Sequence, residues 1–141
     1  MLFRSRFALR ALRSREDLFD IYLVATNWGQ CGWIHEDTEE RKWFDSLILK
    51  NVQYSQMCNG QPQYDMSLQV SIPNEWKKLA PVNIGYTAGI ETNMISPAWY
   101  QPSQQMDKII VISEHAKQSF LNTVFGDQQG NQYKVTTPIE V

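Results

Sequence analysis

The apolar residues of this chain fall into short runs separated by turns, and this pattern predicts the strands. Residues 82–86 and 108–112 are rich in β-branched side chains, and each run ends at small or polar residues. Such runs are typical of parallel strands whose two faces are both covered by helices. Residues 64–72 alternate apolar and polar positions, which predicts a strand with one exposed face. Two further strands are predicted at residues 20–26 and 133–137.

Helix start and stop signals lie between these strands. Asp37 or Thr38 is the predicted cap of a helix over residues 39–58. Ser113 is the predicted cap of a helix over residues 114–125. These two caps place a helix before the strand at 64–72 and another after the strand at 108–112.

Proline and glycine positions refine this pattern. Ser96 followed by Pro97 predicts another helix start, and Pro102 is expected to limit or kink that helix. Gly126 is the predicted stop of the helix that begins after Ser113. The inner face of that helix is predicted to carry Ala116, Phe120 and Val124.

Strands and helices alternate along most of the chain, which predicts an α/β fold. We expect a Rossmann-like three-layer domain with a mostly parallel sheet, and right-handed crossovers that place helices on both faces. Open sheets of this class bind ligands at the carboxyl ends of their strands. A functional site is therefore expected in the turns at residues 87–92 and 113–115.

Composition excludes some classes of function. The 141 residues suffice for one core, and the net charge of −2 gives no basic footprint for a nucleic acid. Cys31 and Cys58 lie far apart without metal-ligand spacing, so we expect free thiols in a reducing compartment, the cytoplasm; a disulfide bridge is the alternative. No apolar run approaches the roughly 20 residues that a membrane-spanning helix needs, so no transmembrane segment is predicted.

The first fifteen residues have a different composition from the rest. They contain five arginines and no acidic residue, which is typical of a mitochondrial transit peptide or a membrane-surface helix. The favoured alternative is a solvated basic helix that packs Phe7, Leu9 and Leu12 on the domain, or an upstream fragment of reading frame, because strand-like sequence follows within a few residues. A capping box at Ser14 and Asp17 competes with a helix over about residues 5–14. We expect residues 1–17 to form a basic helix or extension, and residues 18–141 to form the α/β domain.

Candidate chemistry begins in the loop after the first predicted strand. Gly29 and Gly32 would let backbone amides approach a phosphate, although a plain turn explains them as well. The GxGxxG fingerprint is absent, which argues against a dinucleotide-dependent oxidoreductase. His35 in the same loop and His115 after the fourth predicted strand are expected to be solvated.

A group of acidic residues follows this loop: Glu36, Asp37, Glu39 and Glu40. They could be taken for a metal site, but negative charge is favoured in the first turn of a helix. No other ligand type is expected beside them. The sequence therefore predicts a capped helix start, with no metal and no cofactor.

Residues 85–120 resemble a segment of a known family. In order, they contain Glu91-Thr92, Pro97 with Trp99, Met106-Asp107, an apolar strand, Ser113-Glu114, Lys117 and Phe120. This order and spacing resemble the amino-terminal domain of GT-B glycosyltransferases, in the glycogen-synthase-like and mannosyltransferase-like retaining group. The resemblance, to phage and bacterial enzymes of this type, extends more loosely over residues 20–141.

The resemblance implies transfer of a sugar from a nucleotide-sugar donor to an acceptor hydroxyl. Enzymes of this family have a second Rossmann-like domain that binds most of the donor, and this sequence resembles only the acceptor-side half. We therefore expect a fragment, a truncated form or a chain whose partner domain comes from elsewhere, with little or no activity in isolation. Self-association through the exposed cleft face is a further expectation.

The resemblance also implies roles for individual residues. Glu91 is the predicted catalytic carboxylate, which would orient an acceptor hydroxyl or stabilise positive charge on the sugar; a local cap or ion pair is the alternative. The predicted substrate-binding residues are Gly29, Gly32, Thr87, Gly89, Thr92, Ser113 and Glu114. For Ser113 a helix cap is the favoured alternative.

A non-catalytic module that binds a glycan or a protein is the alternative function. It is motivated by the missing second domain and by five tryptophans, which could stack on sugar rings or fill an interface. Binding of a glycan or protein without binding of nucleotide sugars would favour this alternative.

Overall fold

The computed structural model describes residues 2–25, 37–89 and 92–141 of the chain. They form two compact units, Leu2–Pro62 and Gln63–Val141. The domain division expected after residue 17 stays a prediction.

The first unit contains two helices, α1 over Leu2–Arg13 and α2 over Glu39–Met57. The predicted helix over residues 39–58 is therefore confirmed, and Thr38 is its cap because the Thr38 hydroxyl accepts a hydrogen bond from the Arg41 N–H at 3.2 Å. Cys58 is the residue that ends α2.

Contacts between the two helices hold α1 in place. The guanidinium of Arg10 donates to the carboxylate of Glu40, and this bond raises the pKa of Arg10 while it lowers the pKa of Glu40. The guanidinium of Arg13 lies 4.8 Å from the ring centre of Trp43. Two arginines of α1 therefore contact α2, whereas Phe7, which was expected to pack on the domain, is 62% exposed.

The capping box predicted at Ser14 and Asp17 is wrong. Helix α1 ends at Arg13, and the Ser14 hydroxyl donates backward to the carbonyl of Ala11 at 2.7 Å. The residues that follow form turns, and Trp43 Nε1 donates to Glu16 at 3.0 Å. Ser14 therefore closes one helix and does not begin another.

The first predicted strand is also wrong over its described part, since residues 20–25 form no strand. These residues contact α2. The ring of Tyr22 lies 5.0 Å from that of Tyr54. Lys50 lies over the Tyr22 ring and also forms an ion pair with Asp20. The Leu23 N–H donates to the Leu47 carbonyl. Aromatic and charged side chains, rather than a neighbouring strand, fix this segment.

The second unit contains the sheet and two further helices. Its strands are β1 (Met66–Val70), β2 (Val82–Thr87), β3 (Lys108–Val111), β4 (Phe125–Gly126), β5 (Gln132–Tyr133) and β6 (Ile139–Glu140). Strands β1, β2, β3 and β6 lie in this order in one sheet and are all parallel, whereas β4 and β5 pair as an antiparallel hairpin. The prediction of an α/β, Rossmann-like domain with a mostly parallel sheet is confirmed.

The helix start at Ser96 is confirmed. The Ser96 hydroxyl accepts from the Ala98 N–H at 3.3 Å, and a 3₁₀ helix over Pro97–Trp99 leads into α3, Tyr100–Gln104. Pro102 neither ends nor breaks α3, because it lies in the first turn, where a proline removes no intrahelical hydrogen bond.

Two boundaries near the carboxyl end differ from the predictions. Helix α4 covers Glu114–Asn122 and ends at Thr123, so Gly126 is a strand residue and not the helix stop. Phe125 is buried in the hairpin, and this burial replaces a further helical turn. The strand predicted at residues 133–137 is wrong except at Tyr133, which ends β5, since residues 134–138 form no strand and β6 begins only at Ile139.

The core of this unit lies on one face of the parallel sheet. The alternate positions Ile109 and Val111 of β3 are fully buried, together with Phe120 from α4. Trp76 follows a 3₁₀ helix over Pro73–Glu75 and covers Gly85, where a Cβ would lie 2.7 Å from three ring atoms. A glycine in β2 therefore makes room for the largest side chain of this core.

The amino ends of β2 and β3 are locked together by Asn83 and Asp107. The Asn83 N–H donates to the Asp107 carboxylate at 2.7 Å, and the Asp107 N–H donates back to the Asn83 carbonyl at 2.8 Å. The fully buried Asn83 Oδ1 also accepts from Ser67 Oγ and from the N–H groups of Leu79 and Ala80, at 2.9 to 3.1 Å. These bonds set the strand register from the end opposite the carboxyl termini.

Candidate functional site

The carboxyl ends of β2 and β3 bring two of the predicted site segments to one edge of the sheet. Thr87 is the last residue of β2 and lies in register with Val111, the last residue of β3. The turn at residues 87–89 and the helix start at residues 113–115 therefore lie on neighbouring parallel strands. We call these two segments the rim.

Thr87 shapes the first turn of the rim. Its side chain is only 3% exposed, and its hydroxyl accepts a hydrogen bond from the Gly89 N–H at 3.3 Å. A buried hydroxyl engaged in this way fixes the backbone of the turn. A ligand at this turn would therefore be bound by the backbone groups that Thr87 orients, and not by the Thr87 hydroxyl.

Gly89 contacts α4 one residue beyond the second segment of the rim. Its φ is +77°, a conformation that favours glycine, and a Cβ at this position would lie 2.6 Å from the Cβ of Ala116 on α4. The turn after β2 is therefore seated directly on the first turns of α4.

Thr92 begins a segment that is tied along the same helix. Its carbonyl accepts from the buried Ser119 hydroxyl at 2.9 Å. Farther along, the Ile95 N–H donates to the buried Thr123 hydroxyl at 2.9 Å, and that hydroxyl donates to the Ser119 carbonyl at 2.6 Å. The backbone of residues 92–95 is thus held by two hydroxyls one helical turn apart, while the Thr92 hydroxyl donates to the Met94 carbonyl.

Ser113 is the cap of α4, which was the favoured alternative to a substrate-binding role for this residue. Its Oγ accepts from the Ala116 N–H at 3.2 Å. Glu114 lies in the first turn, where the helix dipole favours its charge, and its carboxylate accepts from Gln118 Nε2 at 2.7 Å. His115 is exposed beside it. Within the described chain, the N–H groups of Glu114 and His115 have no protein acceptor.

The charges of the second unit distinguish between possible ligands. All six arginines of the chain occur at or before residue 41, so the unit Gln63–Val141 contains none. Bidentate recognition of a phosphate by arginine is therefore not available from this unit. The rim offers backbone N–H groups and the carboxylate of Glu114, a set that suits hydroxyl groups.

An ion pair links the strands at the sheet edge beyond β3. Lys108 Nζ donates to the Glu140 carboxylate at 2.9 Å. This hydrogen bond, followed by the positive charge of Lys108, holds the pKa of Glu140 below its usual range. The pair joins β3 to β6 and does not belong to the rim.

Several predicted site residues lie outside the described residues, namely Gly29, Gly32, His35 and Glu91. Their roles stay predictions. The structure describes the residues on either side of the Ile90-Glu91 pair, Gly89 against Ala116 and Thr92 against Ser119. The sequence did not predict this double attachment, because it depends on two small residues three positions apart on α4.

The inner face of α4 differs from its prediction in one residue. Ala116 and Phe120 are buried as predicted, but Val124 is 38% exposed. The buried positions are completed by Ser119 and Thr123, whose hydroxyls bind backbone as described above. A prediction that counts only apolar residues on a helix face overlooks such positions. Ser and Thr can be buried there because their hydroxyls bond to nearby backbone groups.

No group of three or more His, Cys, Asp or Glu side chains suited to a metal ion occurs among the described residues. Within the same residues no helix is long and apolar enough to cross a membrane. Cys58 is a free thiol.

Comparison with known proteins adds no family to these observations. No protein-family model, no curated protein and no solved structure matches this chain. The geometry of the rim and the resemblance of residues 85–120 are therefore the basis for the function proposed below.

Proposed function

We propose that this protein contributes the acceptor-binding half of a glycosyltransferase, an enzyme that moves a sugar from a nucleotide-sugar donor to an acceptor hydroxyl. One observation carries the proposal: the turn at residues 87–89 and the capped helix start at Ser113 stand side by side at the carboxyl ends of adjacent parallel strands. This is the edge at which open α/β sheets bind their ligands.

The resemblance supplies most of the roles of individual residues. Glu91 supplies the carboxylate that orients the acceptor hydroxyl or stabilises positive charge on the sugar. The N–H groups of Glu114 and His115 offer donors to the acceptor or to a donor phosphate at the start of α4. Gly29 and Gly32 would approach the donor phosphates through their backbone amides.

The absence of arginine from Gln63–Val141 supports the assignment of this unit to the acceptor. The unit has five lysines but none of the planar, bidentate donors that arginine offers a diphosphate, whereas an acceptor hydroxyl needs one well-placed carboxylate. The donor diphosphate would then be bound mainly by another domain or chain. The free thiol of Cys58 accords with the reducing cytoplasm as the site of the reaction.

The test is a transfer assay on the protein produced from its complete gene. It is incubated with radiolabelled UDP-, GDP- and ADP-sugars, with and without a panel of glycan acceptors. We expect donor hydrolysis or sugar transfer with at least one donor. No turnover of any of the three donor classes, by a protein that circular dichroism shows to be folded, would count against the proposal.

Two variants assign the reaction to the rim. Glu91→Gln removes the proposed carboxylate charge, and we expect at least a tenfold loss of turnover with unchanged thermal stability. Asp65→Asn is the matched control, because Asp65 is an exposed carboxylate at the amino end of β1, opposite the rim. Equal activity of the wild type and Glu91→Gln would remove Glu91 from the mechanism.

A further inference from the structure

Helix α1 presents a basic surface that the proposed function does not use. Among residues 5–13, the exposed side chains are those of Phe7, Arg10, Ala11 and Arg13, and none of them is acidic. Residues 1–15 contain five arginines and no acidic residue. Helices of this composition are typical of proteins that bind at the surface of an anionic bilayer.

Phe7 is the apolar part of this surface. Its side chain is 62% exposed, and its ring centre lies 5.5 Å from the guanidinium carbon of Arg10. Phe7 precedes Arg10 by three positions and Ala11 by four, so the three residues share one face of the helix. A phenyl ring beside a cation suits the headgroup region of a bilayer, because the ring can enter it while the guanidinium stays with the lipid phosphates.

The guanidinium of Arg10 keeps donors for a second partner. Its Nε and Nη2 donate to the Glu40 carboxylate, so its Nη1 group has no acceptor within the described chain. The Arg10 side chain is 54% exposed, whereas that of Glu40 is 23% exposed, so the arginine is the more accessible partner. Since a guanidinium carries five N–H donors, a lipid phosphate can bind to Arg10 while the pair with Glu40 stays intact.

The carboxylates of the first unit leave part of the α1 charge unbalanced. Glu40 binds Arg10 and lies 4.0 Å from Arg6, whereas Arg13 lies over the Trp43 ring and forms no ion pair among the residues that the structure describes. The other described carboxylates of this unit have partners outside α1, namely Glu16 with Trp43, Asp17 with Arg15, Asp20 with Lys50, Asp37 and Glu39 with Lys42, and Asp45 with Arg41. The charge of Arg13 is therefore available to an anionic partner.

We propose that α1 docks the protein on the surface of an anionic lipid bilayer, with Arg10 and Arg13 bound to lipid phosphates and the Phe7 ring among the headgroups. The complementary charges of arginine and anionic lipid favour this partner. A strand of nucleic acid is bound along a basic groove, whereas α1 is a single convex helix of 12 residues. A flat bilayer needs only one exposed face of such a helix.

This inference uses only residues of the unit Leu2–Pro62, whereas the rim belongs to the unit Gln63–Val141. It therefore does not depend on glycosyl transfer. Binding to vesicles and turnover of a nucleotide sugar are measured in separate assays, so one can fail while the other succeeds.

Co-sedimentation of the full chain with lipid vesicles tests the proposal. The vesicles contain phosphatidylcholine alone or with about 30% phosphatidylglycerol, at about 0.05 M and 0.5 M sodium chloride. At low salt we expect the anionic vesicles to bind the protein at least about tenfold more tightly than the neutral ones, because only they attract the arginines. This preference should fall at least about fivefold at high salt. Equal binding to both kinds of vesicle, or no binding of the folded wild type, would overturn the proposal.

Two pairs of variants assign the binding to α1. Arg13→Gln with Arg15→Gln removes two charges from this region and should weaken binding at least about fivefold. Lys77→Gln with Lys78→Gln is the matched control, because it removes the same charge from two exposed lysines of the other unit and should change binding little. Equal losses for the two pairs would mean that only the net charge of the chain matters, which would overturn the assignment to α1.

Phe7→Ala guards against a folding defect in the arginine variant. The Phe7 side chain is exposed, so circular dichroism should be unchanged, and binding to anionic vesicles should weaken at least about twofold. Met94→Ala removes a similarly exposed apolar side chain, 57% exposed, from the other unit and should have no effect. A single-stranded RNA of about 20 nucleotides is tested in parallel by fluorescence anisotropy. Tighter binding of the RNA than of the vesicles, with the same loss in the arginine variant, would overturn the assignment to lipid.

Discussion

A Cβ placed on Gly89 would lie 2.6 Å from the Cβ of Ala116, so the turn after β2 and the start of α4 touch without space for a methyl group. This contact joins the first segment of the rim to the helix that begins in the second segment, and it occurs where the backbone of Gly89 has a positive φ. Both features require glycine, one through the backbone and the other through the contact.

Gly89→Ala is therefore expected to destabilise the protein by about 2–4 kcal/mol, as the sum of an unfavourable backbone conformation and overpacking. Gly130→Ala is the matched control. Gly130 also has a positive φ, of +84°, but nothing lies within 4 Å of the position that an alanine methyl group would take, so we expect a loss of about 1 kcal/mol. Urea unfolding measures both values, and equal losses would mean that the contact with Ala116 is unimportant.

Asn83→Ala is expected to cost at least about 3 kcal/mol. The substitution leaves the partly buried N–H groups of Leu79 and Ala80 without their acceptor and the Ala80 carbonyl without its donor, and each such group costs about 1–3 kcal/mol. Ser67→Ala serves as the comparison, because it removes one donor to Asn83 Oδ1 while two remain, and about 1 kcal/mol is expected. A loss for Asn83→Ala no greater than that for Ser67→Ala would mean that the Asn83 side chain does not hold the segment before β2.

Ser113 can be tested as a cap and as a ligand with two substitutions. Ser113→Ala removes the acceptor of the Ala116 N–H and should cost about 1 kcal/mol, whereas Ser113→Asp keeps a good cap and should cost little. In the transfer assay, a Ser113→Asp variant of wild-type stability but lower turnover would add a binding role to the cap. Thermal unfolding that leaves Ser113→Ala as stable as the wild type would exclude the cap.

The ionised carboxylate of Asp127 is expected to stabilise the hairpin, and this stabilisation should be lost in acid. The pKa of Asp127 is lowered in the folded state, first by the hydrogen bond from the Asn131 side chain. The corresponding stability is present above the unfolded pKa of about 3.9 and is lost as the pH falls through the lower folded value. The difference in unfolding free energy between the wild type and Asp127→Asn should therefore shrink below about pH 4. A difference that stays constant from pH 7 to pH 2 would contradict this prediction.

The central strands of the second unit could be predicted because their sequence has one dominant property. β2 and β3 are short β-branched runs, and burial of their alternate side chains in the core leaves such runs few alternatives. The caps at Thr38, Ser96 and Ser113 could be predicted because a cap depends on contacts within three residues. Since the rim consists of strand ends and one cap, its position followed from the same local signals.

The failures have a different physical origin. Residues 20–25 have the composition of a strand, but ring and charge contacts with α2 hold them without a neighbouring strand. The end of α4 depends on the burial of Phe125 in a hairpin, which no local pattern specifies. The lock between Asn83 and Asp107 joins residues 24 positions apart. Only the tertiary structure creates these contacts, so the sequence pattern alone could not predict them.

The lock at Asn83 and Asp107 has a consequence for how this scaffold can diversify. Because the alignment of β2 and β3 is set from their amino ends, mutations in the loops at the far edge need not disturb the pairing. Descendants of such a sequence can therefore exchange loop residues, and with them the molecules they recognise, while inheriting the same sheet.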